Sequence, residues 1–552
     1  MQSHVVYGHF DTVEDQRKKI IEAIEEYPVY WSAKRSVKEL CMKQTVSEIE
    51  GSIESLLFRS PLAPRLESVI HFIDRNANHS REYKFAGVDD RYEPLDFVEK
   101  LRMQWDSRMR YQLRAIASHQ KRPLLMPRIR PSRDRDQEEQ FPSHLIYSWT
   151  DLLNEIENLS NPNAASSAEN NITGFGSVKL CLRTPTLDLL RRRYCQLSPN
   201  IRHVGLDDEL SGLGWFRSQQ NSDGERLLND TRTSTAELMV YAQTGIPASL
   251  RPRFWKRILG VWSSERDLAH YEKLISQVRR WDMITDDLYR LEVQETTDNA
   301  AYFVFEDMLD EMMLAFSRDS WVPRNSILPL SVAPLTTNIF DDSENSQIIP
   351  SNSHQPPQFV PVQKSLTAME NSGLELNDQG DTIIPPCQIV PFHLQVMLAA
   401  PLCYLFQQAE QTYFVYRQMY ARYFCRLHLI SSRKDTIIYL CKLFEDLVQS
   451  DSPQVFYHAV EAGLPPLRVV FPWLFTAFSG YLAVDQVLIL WDRILAYDSL
   501  ELLSVLAAAI FVFRSKSVMN ASSGDEIRDI FEDGAHFRVL PLLQHFLFDS
   551  SR

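Results

Sequence analysis

The chain lacks every common signature of a built-in nucleotide or hydrolytic site. No G-x-x-x-x-G-K-[ST] phosphate loop and no G-x-G-x-x-G turn occurs, and neither H-E-x-x-H nor G-x-S-x-G is present. Cysteine is scarce and scattered. The seven residues (Cys41, Cys181, Cys195, Cys387, Cys403, Cys425, Cys441) are odd in number and contain no C-x-x-C pair. Neither a disulfide framework nor a zinc site is indicated, and buried thiols in a reducing compartment are expected. An excess of positive charge is also missing. With 58 Lys and Arg against 72 Asp and Glu, the net charge is −14, which speaks against a general nucleic-acid binder. The longest apolar runs, Val396–Phe406 and Leu502–Phe513, fall short of the ~20 residues that span a bilayer and read as core helices. Met1–His9 is of mixed polarity, unlike a secretory signal. The expected location is cytoplasmic, with at most a peripheral place on endomembranes. Trp491-Asp492 has no counterpart at the spacing of a propeller blade, so it reads as a core anchor and not a propeller repeat.

What is present is helical periodicity over more than one core's length of chain: 552 residues, 44% apolar and 24% charged. Val13, Ile20, Ile24 and Tyr27 share one face, with Thr12 and Asp15 spaced as a capping box, and Val46, Ile49, Ile53, Leu56 and Leu57 form a second stripe. Between residues 100 and 135 cations are dense (Arg102, Arg108, Arg110, Arg114, Lys121, Arg122, Arg128, Arg130, Arg133, Arg135). Such a segment suits either an anionic membrane surface or a solvated helix face followed by a linker. Residues 158–173 read as a loop, and Val178-Lys-Leu-Cys-Leu alternates like a short strand. Residues 322–386 hold nine of the 29 prolines and little periodicity, which predicts a flexible insertion. It is flanked by the stripes Tyr302, Phe305, Leu309, Met312, Met313, Phe316 and Val484, Val487, Leu488, Trp491, Ile494, Leu495. The expected organisation is a helical region over 1–135, a linker with a small mixed segment over 136–240, and a helical domain over 241–552 interrupted at 322–386.

Gly245-Ile-Pro247-Ala-Ser-Leu-Arg251-Pro-Arg-Phe-Trp255 has the form G-I-P-x-x-x-R-x-x-x-W. The Pro suits a helix start. Arg251 and Trp255, four apart on one face, read as a domain staple, the guanidinium lying near the ring or reaching a carboxylate. Ile284-Thr-Asp-Asp287-Leu-Tyr-Arg290 fits I-x-x-D-x-x-R about 30 residues beyond Trp255. Then come Phe456-Tyr-His458, Gly463-Leu-Pro-Pro, Phe471-Pro-Trp473-Leu-Phe-Thr-Ala-Phe478 and Val487-Leu-Ile-Leu-Trp491-Asp492. In order and spacing these motifs resemble the TBC domain Rab GTPase-activating protein family, from about Gly245 to Phe548. The resemblance implies an all-α fold: a helical TBC domain in the C-terminal half, beside a mainly helical N-terminal region and a long disordered insertion.

The resemblance also implies a partner, a Rab-type small GTPase, and a role for Arg290 as an arginine finger that neutralises charge on the partner's phosphate, with Asp287 orienting it. Such a finger is worth roughly 10³–10⁵ in rate. No cofactor is expected of the chain itself, since GTP and Mg²⁺ would belong to the partner. Two departures stand out. The T-x-P that usually follows the finger is replaced by Leu291-Glu-Val-Gln. Where the family has Y-x-Q-G, whose Gln aligns the attacking water, this chain has Pro391-Phe392-His393-Leu394. A carboxamide carries donor and acceptor on one planar end, whereas neutral imidazole carries them on opposite sides of the ring. Three readings follow: an activator that relies on Arg290 and the partner's own Gln, a TBC scaffold that binds a GTPase or trafficking protein without accelerating hydrolysis, or an all-helical adaptor that never meets a GTPase.

Overall fold

A computed structural model of the chain describes residues 96–120, 124–128, 147–159, 176–180, 182–199, 203–206, 214–262, 264–326 and 385–549. By backbone contacts the chain divides into Met1–Asp74 and Arg75–Arg552. The first unit lies outside the described residues, as do both N-terminal stripes, Cys41, Cys181 and positions 327–384 of the expected insertion.

The described part is helical, as its periodicity predicts. Its order runs α1 (Asp96–His119), β1 (Leu125–Pro127), α2 (Trp149–Asn158), α3 (Arg251–Leu259), α4 (Glu265–Arg280), β2 (Trp281–Met283), α5 (Ile284–Thr297) and α6 (Glu306–Arg318), with further short helices between. After the insertion come α7 (Ala409–Arg422), α8 (Ile437–Asp451), α9 (Pro466–Phe475), α10 (Val484–Tyr497), α11 (Glu501–Phe513) and α12 (Val539–Phe548). Local chemistry sets the ends. Ser264 and Asp267 close a reciprocal capping box at the start of α4, and Gly260 ends α3 at φ 72°, a conformation that favours glycine. α11 is apolar on all sides and buried from Glu501 to Val512, so it forms the axis against which α8 and α12 pack. On the other side of the core α6 is sandwiched by α4, α5 and α7, and its stripe of Leu309, Met312, Met313 and Phe316 is fully buried. Among the described residues no helix is long and apolar enough to cross a membrane.

Several local expectations are revised. Val396–Phe406 is core, but it is built as two 3-10 turns, Val396–Leu398 and Ala400–Tyr404, instead of an α-helix. Pro247 does not start a helix. Its carbonyl accepts the N–H groups of Leu250 and Arg251 in a turn, and Pro252 takes the first-turn position of α3. Gly245 has φ 98° and lies so close to Arg493 that a Cβ would collide with the guanidinium. Val178 is not in a strand: the Glu445 carboxylate on α8 accepts the N–H groups of Ser177 (2.6 Å) and Val178 (3.0 Å), diverting them from any ladder. The insertion expected from residue 322 begins later, because Trp321–Asn325 is a helical turn with Val322 buried, and Cys387 at its far end is buried too. Cys403, Cys425 and Cys441 are likewise buried thiols.

The core takes in residues on both sides of position 240. Val98, Trp105, Met109, Leu113 and Ile116 of α1 belong to the same apolar cluster as α11. β1 pairs antiparallel with β2, Met126 opposite Asp282, so a segment from before residue 130 abuts the start of α5. Of the basic segment, Arg102 is buried beside Glu99, and Arg108 pairs with Glu155 of α2 at 2.6 Å.

Candidate functional site

Helix α5 is pinned at its first turn by a buried carboxylate. Asp286 is fully buried, accepts the Met283 N–H at 3.1 Å, and receives both terminal nitrogens of Arg318 on α6 at 2.8 and 2.7 Å. Arg128, just after β1, adds ion pairs to Asp286 (3.4 Å) and Asp282 (3.2 Å). A paired, fork-shaped guanidinium is the arrangement in which a buried carboxylate is tolerated. The neighbouring Asp287 faces another way. It accepts from Arg290 Nη1 at 3.1 Å, one turn along α5, as the motif spacing predicts. Asp310 on α6 lies 3.7 Å from Arg290 Nε, so two carboxylates hold this guanidinium, whose side chain is 24% exposed. Burial raises the Asp310 carboxyl above its ordinary range, and the charge of Arg290 opposes that shift. Ile284, the first residue of the motif, is buried.

The Pro391–Leu394 segment arrives at α5 from the far side of the insertion. Phe392 is fully buried, stacked on Tyr147 at 5.3 Å and packed against His428 at 4.1 Å and Phe475 at 5.4 Å. This anchor fixes its neighbours. The His393 N–H donates to the Tyr147 carbonyl (3.1 Å), and the Leu394 N–H donates to Glu292 Oε2 (2.8 Å). Leu394 is held at φ 70°, the left-handed region that a β-carbon disfavours and that a glycine would occupy without cost. The His393 ring turns its Nδ1 toward Glu292 Oε1 (3.4 Å) and Glu295 Oε2 (3.1 Å). Hydrogen bonding to Glu292 raises the imidazole above its usual range, while burial raises Glu292 itself, so the two compete for a proton. The His393 side chain is partly exposed.

The structure does not bring Arg290 and His393 together. At 3.6 residues per turn, Glu292 and Glu295 lie about 140–200° around the helix axis from Arg290. The guanidinium and the imidazole therefore engage separate carboxylates on different sides of α5. Between α5 and α6, Phe303 and Val304 are each 63% exposed, an apolar pair on the connection that links Arg290 to Asp310.

The remaining motif residues form one buried lock. Asp492 on α10 accepts from Arg251 Nε and Nη2 (3.0 and 2.9 Å) and from the Trp255 ring N–H (2.8 Å). The staple is therefore three-membered: Arg251 and Trp255 share one carboxylate. Trp491 donates to the Ala477 carbonyl at 3.0 Å, and Trp473 stacks on Tyr481 at 4.2 Å.

The lock joins the G-I-P-x-x-x-R-x-x-x-W segment to a Trp-Asp pair more than 230 residues later. Residues 395–519 match the Rab-GTPase-TBC domain family. Human TBC1 domain family member 19 is 34% identical over 471 residues, a stretch covering 83% of this chain and 82% of that protein. The chain belongs to the TBC family. The Ypt/Rab-GAP domain of Gyp1p is also similar, at 14% identity over 60% of this chain and 96% of that one, with a TM-score of 0.38 that marks only a loose superposition. The family-matched part of this TBC protein begins at Gln395, immediately after the departure at Pro391–Leu394, and does not reach Arg290.

Sequence reasoning missed Asp286, Asp310, Glu292 and Glu295 as parts of this region. The Glu292-x-x-Glu295 spacing, which puts both carboxylates on one face of a helix, is the signal that was available.

Proposed function

We propose that this TBC protein docks on a Rab-type small GTPase and presents Arg290 in trans to the phosphates of the nucleotide bound there. The observation that carries the reading is the setting of Arg290: a half-buried guanidinium, aimed by Asp287 one turn away and flanked by Asp310, on the helix that opens with the I-x-x-D-x-x-R motif. A guanidinium neutralises charge that builds on phosphate oxygens, and the oriented fork reduces the entropy lost when it does so. Phe303 and Val304, on the connection between α5 and α6, supply exposed apolar area of the kind that marks an interaction site. We do not assign the alignment of water to His393, whose Nδ1 faces Glu292 and Glu295. That task falls to the partner's own glutamine, and GTP and Mg²⁺ are the partner's. Acceleration then falls below the roughly 10³–10⁵ of a complete finger.

A second reading, docking without acceleration, is favoured by one observation: Arg290 already has two carboxylate partners, and two more carboxylates stand where the family's Gln would be. Single-turnover GTP hydrolysis across a Rab panel separates the two. Under the first reading at least one Rab is accelerated, and both Arg290→Ala and Arg290→Lys lose most of that gain, since Lys lacks the fork. Micromolar binding of a Rab with no acceleration by the wild type establishes the second.

A further inference from the structure

The Glu292, Glu295 and His393 cluster has a geometry that an ion pair alone does not require. Glu292 and Glu295 project from one face of α5, and His393 reaches them from a segment about a hundred residues further along. Their three ligating atoms lie within 4.8 Å of one another. Nδ1 stands 3.4 Å from one carboxylate oxygen and 3.1 Å from the other. Ligands bound at ~2.0–2.1 Å to a tetrahedral ion are separated from each other by about 3.3 Å.

We propose that Glu292 Oε1, Glu295 Oε2 and His393 Nδ1 bind a first-row divalent cation such as Zn²⁺ or Co²⁺. One imidazole nitrogen and two carboxylate oxygens are a borderline donor set, suited to those ions more than to Ca²⁺ or Mg²⁺. The supporting contacts are in place. The Leu394 N–H takes the second oxygen of Glu292, leaving Oε1 for the ion, and the Tyr147 carbonyl fixes the backbone of His393. Glu292 is buried, while His393 and Glu295 are 40% and 36% exposed at the side chain, so the ion enters from solvent and keeps an open side for water or a partner's ligand. Binding is balanced by loss of a proton: the imidazolium releases its Nδ1 hydrogen, and the two carboxylates plus the neutral ring compensate a charge of +2. The site stands whether or not Arg290 acts on a GTPase.

The test uses the full chain, stripped by a chelator and dialysed, then titrated with Co²⁺ while visible d–d bands and calorimetric stoichiometry are followed. One ion per chain is expected, without the thiolate-to-metal band that a cysteine site would give, and displaced by Zn²⁺. Glu295→Gln, a near-isosteric change at a partly exposed position, weakens affinity by more than the roughly 10–100-fold typical of losing an outer partner. The double variant Glu295→Gln/His393→Ala removes the bands. Melting curves in chelator establish that both variants are folded. An absence of stoichiometric Co²⁺ uptake by the wild type overturns the assignment, leaving an imidazolium–carboxylate cluster only. So does uptake that persists in the double variant.

Discussion

Arg251 and Arg290 both stand in family motifs, both face carboxylates, and their surroundings are opposite. Arg251 is 5% exposed and locked in a fork on Asp492, whose oxygen also takes the Trp255 ring N–H. Arg290 keeps a quarter of its side chain in solvent and divides its contacts between Asp287 and Asp310. The first arrangement is satisfied in full and has no capacity left for an outside group. The second is loosely held, which is the condition for a side chain that exchanges an internal partner for an external one. The same contrast separates the regions around them. Near Asp492 the motif residues close on one another, whereas along α5 Arg290 and Asp287 keep the motif on one side while Glu292, Glu295 and a strained Leu394 meet on another.

The contrast is broken most directly at Asp492. Asp492→Ala leaves a buried guanidinium and an indole N–H without an acceptor, and the expected loss is about 3–5 kcal/mol. Arg290→Ala, at a partly exposed site, is expected to cost no more than ~0.5 kcal/mol. Denaturant midpoints of the two variants measure both, and equal losses would abolish the distinction drawn between the two arginines.

An intermediate effect is expected at His428, which lies under the Phe392 anchor. Its ring is buried between Phe392 and Phe475, with Nε2 on the Phe475 carbonyl at 3.2 Å, and burial lowers its pKa from 6.5 to about 3. The folded state refuses a proton that the unfolded chain accepts. Stability is therefore fully present above pH 6.5 and falls as pH drops toward 3, by about 1.4 kcal/mol per unit. Urea unfolding at pH 7 and pH 5 should show this slope in the wild type, and His428→Gln should remove it. A slope that survives the substitution would assign the acid sensitivity to other groups.

A smaller effect than at His428 is expected at Leu394. A leucine exchanged for glycine in a core costs several kcal/mol, through lost contacts and a freer unfolded chain. At φ 70° the exchange also relieves strain of roughly 1–2 kcal/mol. Leu394 is only partly buried, so its contact loss is far below that of a core leucine, and Leu394→Gly should change stability by no more than about 1 kcal/mol. A thermal melt showing a loss of core size would mean that Leu394 packing outweighs its backbone strain.

Much of the helical architecture was legible because periodicity survives without knowledge of the fold. The stripes Leu309–Phe316 and Val487–Leu495 read as core faces and are buried as such. Arg251 and Trp255 were legible as a staple from their spacing, but not as sharing Asp492, because no local pattern links residues more than 230 positions apart. Asp287 was marked by its motif spacing to Arg290, whereas nothing local marked Asp286, whose burial on Arg318 is set by where α6 crosses α5. His393 was singled out for what it replaces. What it contacts depended on Glu292 and Glu295 from the other side of the insertion. Val178 failed as a strand for a similar reason: Glu445, which takes its N–H, is 267 residues away.

These distances have a consequence for how the molecule is made. Arg193 pairs with Glu501 across 308 positions, and the amide of Ser177 meets its acceptor 268 positions on. At a ribosomal pace of about 5–20 residues per second, the earlier segment waits roughly 15–60 s for its counterions to be synthesised. During that interval its apolar faces and cations lack their native cover, which is complete only once α11 has emerged.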